Sequence, residues 1–127
     1  MRLLGTFLAL AAGLVFAQAQ PANREALWKQ VAAAEKKGLP KTAAAKLQLI
    51  YDSALRDGRH AEAIKALAKR ITHEGAVQGN KPEEKITRLR AELEKIPAEA
   101  RSLLQTILGH WYWQYFRANR YRFLQRT

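Results

Sequence analysis

The chain has 127 residues, a formal net charge of +11 and no cysteine. Its length suits one domain, and its composition, 48% hydrophobic and 26% charged, excludes a collagen-like or a wholly disordered chain. The absence of cysteine excludes disulfide bonds, thiolate zinc sites, iron–sulfur clusters and thiol nucleophiles.

The start of the chain has the pattern of an export signal. Arg2 precedes an apolar run of 14 residues, Leu3–Phe16, and Ala17-Gln-Ala19 fits the small-x-small rule of signal peptidase. The run is shorter than the roughly 20 residues that cross a bilayer. We therefore predict a signal peptide over residues 1–19, cleaved after Ala19, with an uncleaved N-terminal anchor as the alternative. The protein is then exported to the periplasm, the cell envelope or the extracellular space.

The pattern of residues 20–127 is that of a helical domain. Apolar residues recur every three or four positions in five segments, which are separated by proline or glycine. Pro82 suits the first turn of a helix, whereas Gly38, Gly58 and Gly75 suit helix ends. The pattern predicts an all-α fold, an array of about five antiparallel helices. The predicted helices span residues 22–37, 40–57, 59–74, 82–95 and 98–118.

A spacing of twenty residues relates the second and third predicted helices. The order glycine, alanine, leucine occurs twice at that spacing, as Gly38, Ala43, Leu47 and as Gly58, Ala63, Leu67. This arrangement is similar to the helical pairs of tetratricopeptide-type (TPR) repeats, in which alanine lets helices approach closely. TPR repeats have a period of about 34 residues. An ordinary antiparallel array is therefore the favoured interpretation, and TPR-like hairpins are the alternative.

The segment from His110 to Thr127 is unusually aromatic and basic. It holds seven of the eleven aromatic residues of the chain, and no acidic residue follows Glu99. A helix with aromatic side chains on more than one side exposes more apolar surface than a domain of this size readily buries. The candidate interaction surface comprises Trp111, Trp113, Tyr115, Phe116, Arg117, Arg120, Tyr121, Arg122 and Phe123.

Three kinds of partner fit this segment. Interleaved rings and guanidinium groups bind nucleic acid or other polyanions, but export counts against nucleic acid. Trp, Tyr and Arg suit a membrane interface, but the segment lacks one clean polar face. We favour a packing surface for further polypeptide. The alternating polarity of Asn119–Phe123 predicts the start of a β-strand, and we expect the chain to continue beyond Thr127.

The sequence lacks the constellations that support catalysis. His60, His73 and His110 have no metal-ligand spacing, and Ser53 and Ser102 have no glycine-flanked nucleophile context. We therefore predict a protein that is not an enzyme and that uses no cofactor and no metal. The expected partner is a protein, not nucleic acid. Lysines spread along the chain leave an anionic envelope surface as a further candidate partner.

Two longer runs of residues, Gly79–Glu99 and His110–Thr127, are specific enough to compare with known families. Together with Gly38-Leu-Pro-Lys-Thr42 and the export signal, they resemble the N-terminal helical region of large exported bacterial proteins of the alpha-2-macroglobulin type. The resemblance implies a protease trap, in which a bait segment is cut, the molecule changes shape and the protease is enclosed. The implied partners are the rest of a larger chain and, through it, proteases.

The working parts of that family lie elsewhere. Its members have a string of β-sandwich macroglobulin domains, and some carry a Cys-x-x-Gln thioester. This chain has no cysteine, no such string and no recognisable bait, so the resemblance assigns a role to no individual residue. It implies a non-catalytic N-terminal helical module, or a fragment, of an exported protease inhibitor. The alternative is a stand-alone exported TPR-like helical scaffold that binds a protein or an anionic envelope partner.

Overall fold

Five α-helices form the part of the chain that the structure describes. The structure, a computed structural model, describes residues 21–125, and the predicted signal peptide lies outside them. The predicted all-α fold is confirmed for the described residues, and none of their helices is long and apolar enough to cross a membrane. The elements are α1 Pro21–Lys36, α2 Pro40–Arg56, α3 His60–Val77, α4 Pro82–Ala91, a 3-10 turn Glu92–Glu94 and α5 Ala98–Leu124.

The helices pack around one apolar core. α2 packs against α1 and α3, α3 also packs against α4 and α5, and α4 packs against α5. Ala43 and Ala54 of α2 and Ala63 and Ala66 of α3 are fully buried, which lets these two helices approach closely. The larger side chains that fill the space around them are Leu47, Ile50, Ile64, Leu67, Ile71, Leu89 and Leu104.

The twenty-residue spacing corresponds to two turns of the same geometry. Gly38 and Gly58 have φ angles of +66° and +67°, in the left-handed region that glycine adopts without strain. At each turn the amide that follows the glycine donates to a carbonyl five residues earlier, which is the Schellman motif. Such short turns make consecutive helices antiparallel neighbours. The two hydrogen bonds are Leu39 to Ala34 at 2.9 Å and Arg59 to Ala54 at 2.8 Å.

α3 ends later than the sequence pattern predicts. Gly75, the expected end, lies inside the helix, which continues to Val77. Gly79 and Asn80, with φ angles of +98° and +57°, are the left-handed residues instead, and the amide of Asn80 donates to the carbonyl of Gly75 at 2.8 Å. A helix tolerates an internal glycine at a cost of about 1 kcal/mol. A glycine by itself therefore does not fix a helix end.

The last two helices also differ from the prediction. α4 ends at Ala91 and tightens into the 3-10 turn, whereas a helix over 82–95 was predicted. α5 continues to Leu124, so Asn119–Phe123, where the start of a strand was predicted, is helical. An alternating segment forms a strand when a neighbouring strand pairs with its backbone. The described residues include no strand, and the helix satisfies the same groups internally.

A buried ion cluster joins the start of α1 to α2 and α3. Arg24 is only 3% exposed, and its guanidinium pairs with Asp57 and, at 3.1 Å, with Glu62. The same guanidinium donates to Ser53 Oγ at 3.0 Å, and the Trp28 indole donates to Glu62 at 2.9 Å. The hydrogen bond to Asp57 raises the pKa of Arg24, so the group stays charged although it is buried.

A second cluster joins the end of α1 to α3. The carboxylate of Glu35 lies 2.8 Å from Lys69 Nζ and 2.7 Å from His73 Nε2. The hydrogen bond from Lys69, with a smaller contribution from His73, holds the pKa of Glu35 below its ordinary value of 4.5, against the opposing effect of burial. Since the folded state favours the carboxylate, this contact stabilises the fold at neutral pH and is lost in acid.

The Glu35 cluster generates a pH prediction. The pKa of Glu35 is depressed, so its contribution is present above about pH 4.5 and disappears as the pH falls through the folded-state value. Glu35→Gln should therefore lower the free energy of unfolding at pH 7 and bring it close to the parent's in strong acid. Urea unfolding followed by circular dichroism measures both. Glu25→Gln, which breaks only the exposed α1 pair with Lys29, is the control and should change little. A Glu35→Gln deficit that is constant with pH would contradict the assignment.

The end of α3 generates a paired prediction. Gly79→Ala places a side chain in the left-handed region and should lower the free energy of unfolding by about 1 kcal/mol. Gly75→Ala, inside the helix, should raise it by about 0.5–1 kcal/mol. An added Cβ meets no atom within 4 Å at either position, so the backbone alone decides the sign. Urea unfolding of the two variants checks the prediction. Equal effects of the two substitutions on the free energy of unfolding would contradict the assigned end of α3.

Candidate protein-interaction surface

Burial along α5 stops at Trp111. The helix turns one stripe toward the core, and the buried residues of that stripe are Ala100, Leu104, Leu108 and Trp111. Among the described residues that follow Trp111, only Tyr115 and Asn119 are half-buried, and the others are exposed. The C-terminal half of α5 therefore lies largely outside the core.

Three exposed rings of α5 form a stack, which we call the aromatic face: Trp113, Phe116 and Phe123. The ring centroids of Trp113 and Phe116 are 5.9 Å apart with an interplanar angle of 26°, and those of Phe116 and Phe123 are 5.8 Å apart at 24°. Their exposed fractions are 57%, 43% and 44%. Tyr115 meets Phe123 edge-on at 6.3 Å. The stack is thus an ordered apolar surface that faces solvent.

The other residues of the predicted surface have different environments. Trp111 is buried, so it belongs to the core and not to the aromatic face; its spacing from Leu108 turns it inward. Tyr121 is 67% exposed, and the guanidinium of Arg120 lies 5.2 Å from its ring centroid. Arg122 is exposed and donates to the side chain of Asn119 at 3.4 Å.

A hydrogen bond from Tyr115 ties the exposed half of α5 to α4. The Tyr115 hydroxyl donates to Glu83 Oε1 at 2.7 Å. This bond lowers the pKa of Glu83 and raises the pKa of Tyr115, because it favours the ionised carboxylate and the protonated phenol. Glu83 lies in the first turn of α4, where the helix dipole favours negative charge.

The charge around the aromatic face is positive. Arg117, Arg120 and Arg122 are exposed, and none of the three forms an ion pair within the described part of the chain. Arg120 follows Phe116 by one helical turn and Trp113 by two, so rings and guanidinium groups share one side of the helix. Aromatic residues and arginine are enriched where proteins bind proteins.

Sequence reasoning missed three residues near this surface. Tyr112 and Leu124 are 42% and 64% exposed and enlarge the apolar area. Tyr112 lies one turn before Phe116 and Leu124 one turn after Arg120, and this spacing could have placed both on the surface. Lys85 of α4 places Nζ 4.1 Å from the ring centroid of Trp111. No local pattern connects these two residues, because they lie on different helices.

Among the described residues, no three His, Asp or Glu side chains lie together as a metal site. Comparison with known proteins adds no assignment, because no family model, no curated protein and no solved structure matches the chain. The chemistry of the surface itself, exposed stacked rings beside exposed guanidinium groups, is therefore the basis for a functional hypothesis.

The contrast between the two tryptophans of α5 generates a prediction. Trp111→Ala removes a buried ring and should lower the free energy of unfolding by about 3–5 kcal/mol. Trp113→Ala, at an exposed position, should cost less than about 1 kcal/mol, since only its stacking with Phe116 is lost. Thermal unfolding followed by circular dichroism checks both. Equal losses would show that Trp113 is part of the core and that the aromatic face is covered.

Proposed function

We propose that the chain is a non-catalytic helical module of an exported protease inhibitor of the alpha-2-macroglobulin type, and that it docks onto further polypeptide through the aromatic face. The observation that carries the proposal is the exposed stack of Trp113, Phe116 and Phe123. A stack of this kind lowers its free energy when another apolar surface covers it. Docking, not chemistry, is the role that this arrangement supports.

The two runs that carry the family resemblance lie against each other, which supports the proposal. Gly79–Glu99 covers the turn before α4 and α4 itself, and His110–Thr127 covers the exposed half of α5. The hydrogen bond between Tyr115 and Glu83 joins these runs. If α4 and α5 together support the aromatic face, related proteins that use this face are expected to resemble this chain in both runs.

The mixture of side chains favours a protein partner over a membrane. An interfacial helix presents one apolar side to the lipid and one charged side to water. In α5, Arg120 lies on the same side as Trp113 and Phe116, so the rings cannot enter lipid without the guanidinium. A protein partner can pair the charge with a carboxylate and cover the rings at once.

A stand-alone exported TPR-like scaffold is the second candidate. The observation in its favour is the repeated turn at Gly38 and Gly58, which stacks α1, α2 and α3 as consecutive hairpins. Helical arrays of this kind present extended binding surfaces. This candidate binds a protein or an anionic envelope partner and needs no further polypeptide.

Co-expression with the polypeptide encoded beyond Thr127 tests the primary proposal. We expect the coding sequence to continue into β-sandwich domains and the adjoining segment, produced as a separate chain, to bind this one. Trp113→Ser together with Phe123→Ser should weaken that binding by about 30-fold or more, as loss of interface hot spots does. Leu49→Ser, which removes an exposed apolar side chain on α2, is the matched control and should leave binding unchanged.

Two outcomes contradict the proposal. A stop codon directly after Thr127 removes the further polypeptide and favours the stand-alone scaffold. If the double variant and Leu49→Ser weaken binding equally, the aromatic face has no special role in docking. Circular dichroism of each variant shows whether the helices are retained.

A further inference from the structure

A groove between α4 and α5 lies on the other side of α5 from most of the aromatic face. α4 contributes Pro82, Lys85 and Ile86, and α5 contributes Trp111, Tyr115 and Ala118. The groove encloses a volume of about 240 Å³. Small-molecule sites usually enclose about 300–1,000 Å³, so this groove suits one or two side chains of a peptide better than a free metabolite.

Lys85 is the one charged side chain among the residues that line this groove. It is half-buried, and its Nζ lies 4.1 Å from the ring centroid of Trp111. Within the described part of the chain it forms no ion pair with a carboxylate. Burial lowers the pKa of Lys85, and no neighbouring acid offsets that effect. A half-buried ammonium group beside an apolar wall is complementary to a ligand in which a carboxylate lies next to an apolar side chain.

The other polar groups of the groove already have partners. The Gln114 amide nitrogen lies 2.9 Å from His110 Nε2, and the Asn119 amide donates to the carbonyl of Tyr115 at 3.0 Å. The Tyr115 hydroxyl donates to Glu83. Each of the two amides thus has one hydrogen-bond partner for its nitrogen, whereas the ammonium group of Lys85 has no hydrogen-bond acceptor among the described residues and is the one charged donor of the groove.

We propose that the groove binds a peptide segment of a partner protein in which an aromatic or large aliphatic residue stands next to a glutamate or aspartate. The apolar side chain packs on Trp111 and Ile86, and the carboxylate pairs with Lys85. A second cavity shares Pro82 and Lys85 with this groove and reaches Gly75, so the peptide can continue along the start of α4. The site does not depend on the aromatic face, and its test can fail without affecting the proposed docking role.

The capped peptide Ser-Glu-Phe-Glu-Ser is the probe, and Ser-Gln-Phe-Gln-Ser is its uncharged control. Each is titrated to about 5 mM into the isotope-labelled full chain, because a Kd near 1 mM is already weak for a specific contact. We expect the acidic peptide to shift the amide signals of Lys85, Trp111 and Ala118. It should also raise the pKa of the Lys85 ammonium, since a nearby carboxylate favours the charged form.

Two matched lysine variants separate a specific site from general attraction to a basic protein. Lys85→Gln should weaken peptide binding by about tenfold or more. Lys29→Gln makes the same change of charge on α1, at an exposed side chain paired with Glu25 and outside both cavities, and should weaken it less than about twofold. Equal losses for the two variants would overturn the proposal, as would equal affinity for the two peptides.

A steric variant keeps the test independent of charge. Ala118→Leu fills the groove at an exposed helical position, so it should abolish binding while circular dichroism stays unchanged. Trp113→Ser with Phe123→Ser should leave peptide binding unchanged. The groove is not the site if the peptide shifts amide signals at the aromatic face and not at Lys85. The same conclusion follows if Ala118→Leu binds the peptide as the parent does.

Discussion

α5 is longer than the bundle that buries it, and the two candidate interaction surfaces follow from that mismatch. The helix has 27 residues, whereas the other four have between 10 and 18. At 1.5 Å per residue, the part beyond Trp111, the last buried residue of the helix, is roughly 20 Å long. Such a helix end stays ordered through its own backbone hydrogen bonds and a few contacts, of which the bond from Tyr115 to Glu83 is one.

Contacts among α1, α2 and α3 fix the position of the helices against which α5 packs. Buried alanines bring α2 and α3 together, and the charged cluster at Arg24 connects both helices to α1. A buried guanidinium is costly to desolvate, so it favours the one arrangement in which Asp57 and Glu62 both reach it. Because α3 packs against both α4 and α5, this arrangement also positions the pair of helices that carries the candidate sites.

α5 serves two environments with one sequence. Trp111 and Tyr115 line the groove beside α4, whereas Trp113, Phe116 and Phe123 form the aromatic face. Both surfaces combine apolar walls with cations that form no ion pair among the described residues, Lys85 in the groove and the arginines around the rings. On both proposed surfaces the expected partner is therefore an acidic and apolar segment of a protein.

The sequence by itself determined the helical class, all five helix starts to within one residue, and the crowding of rings and arginines after His110, because these depend on local periodicity, proline and glycine. It misplaced the end of α3 at Gly75, and it indicated the start of a strand at Asn119–Phe123, residues that are helical in the structure. Both helices continue where internal hydrogen bonds are available. Only the tertiary structure decided which rings are covered and that Lys85 meets Trp111. Those contacts join residues far apart in the chain, and no short-range pattern encodes them.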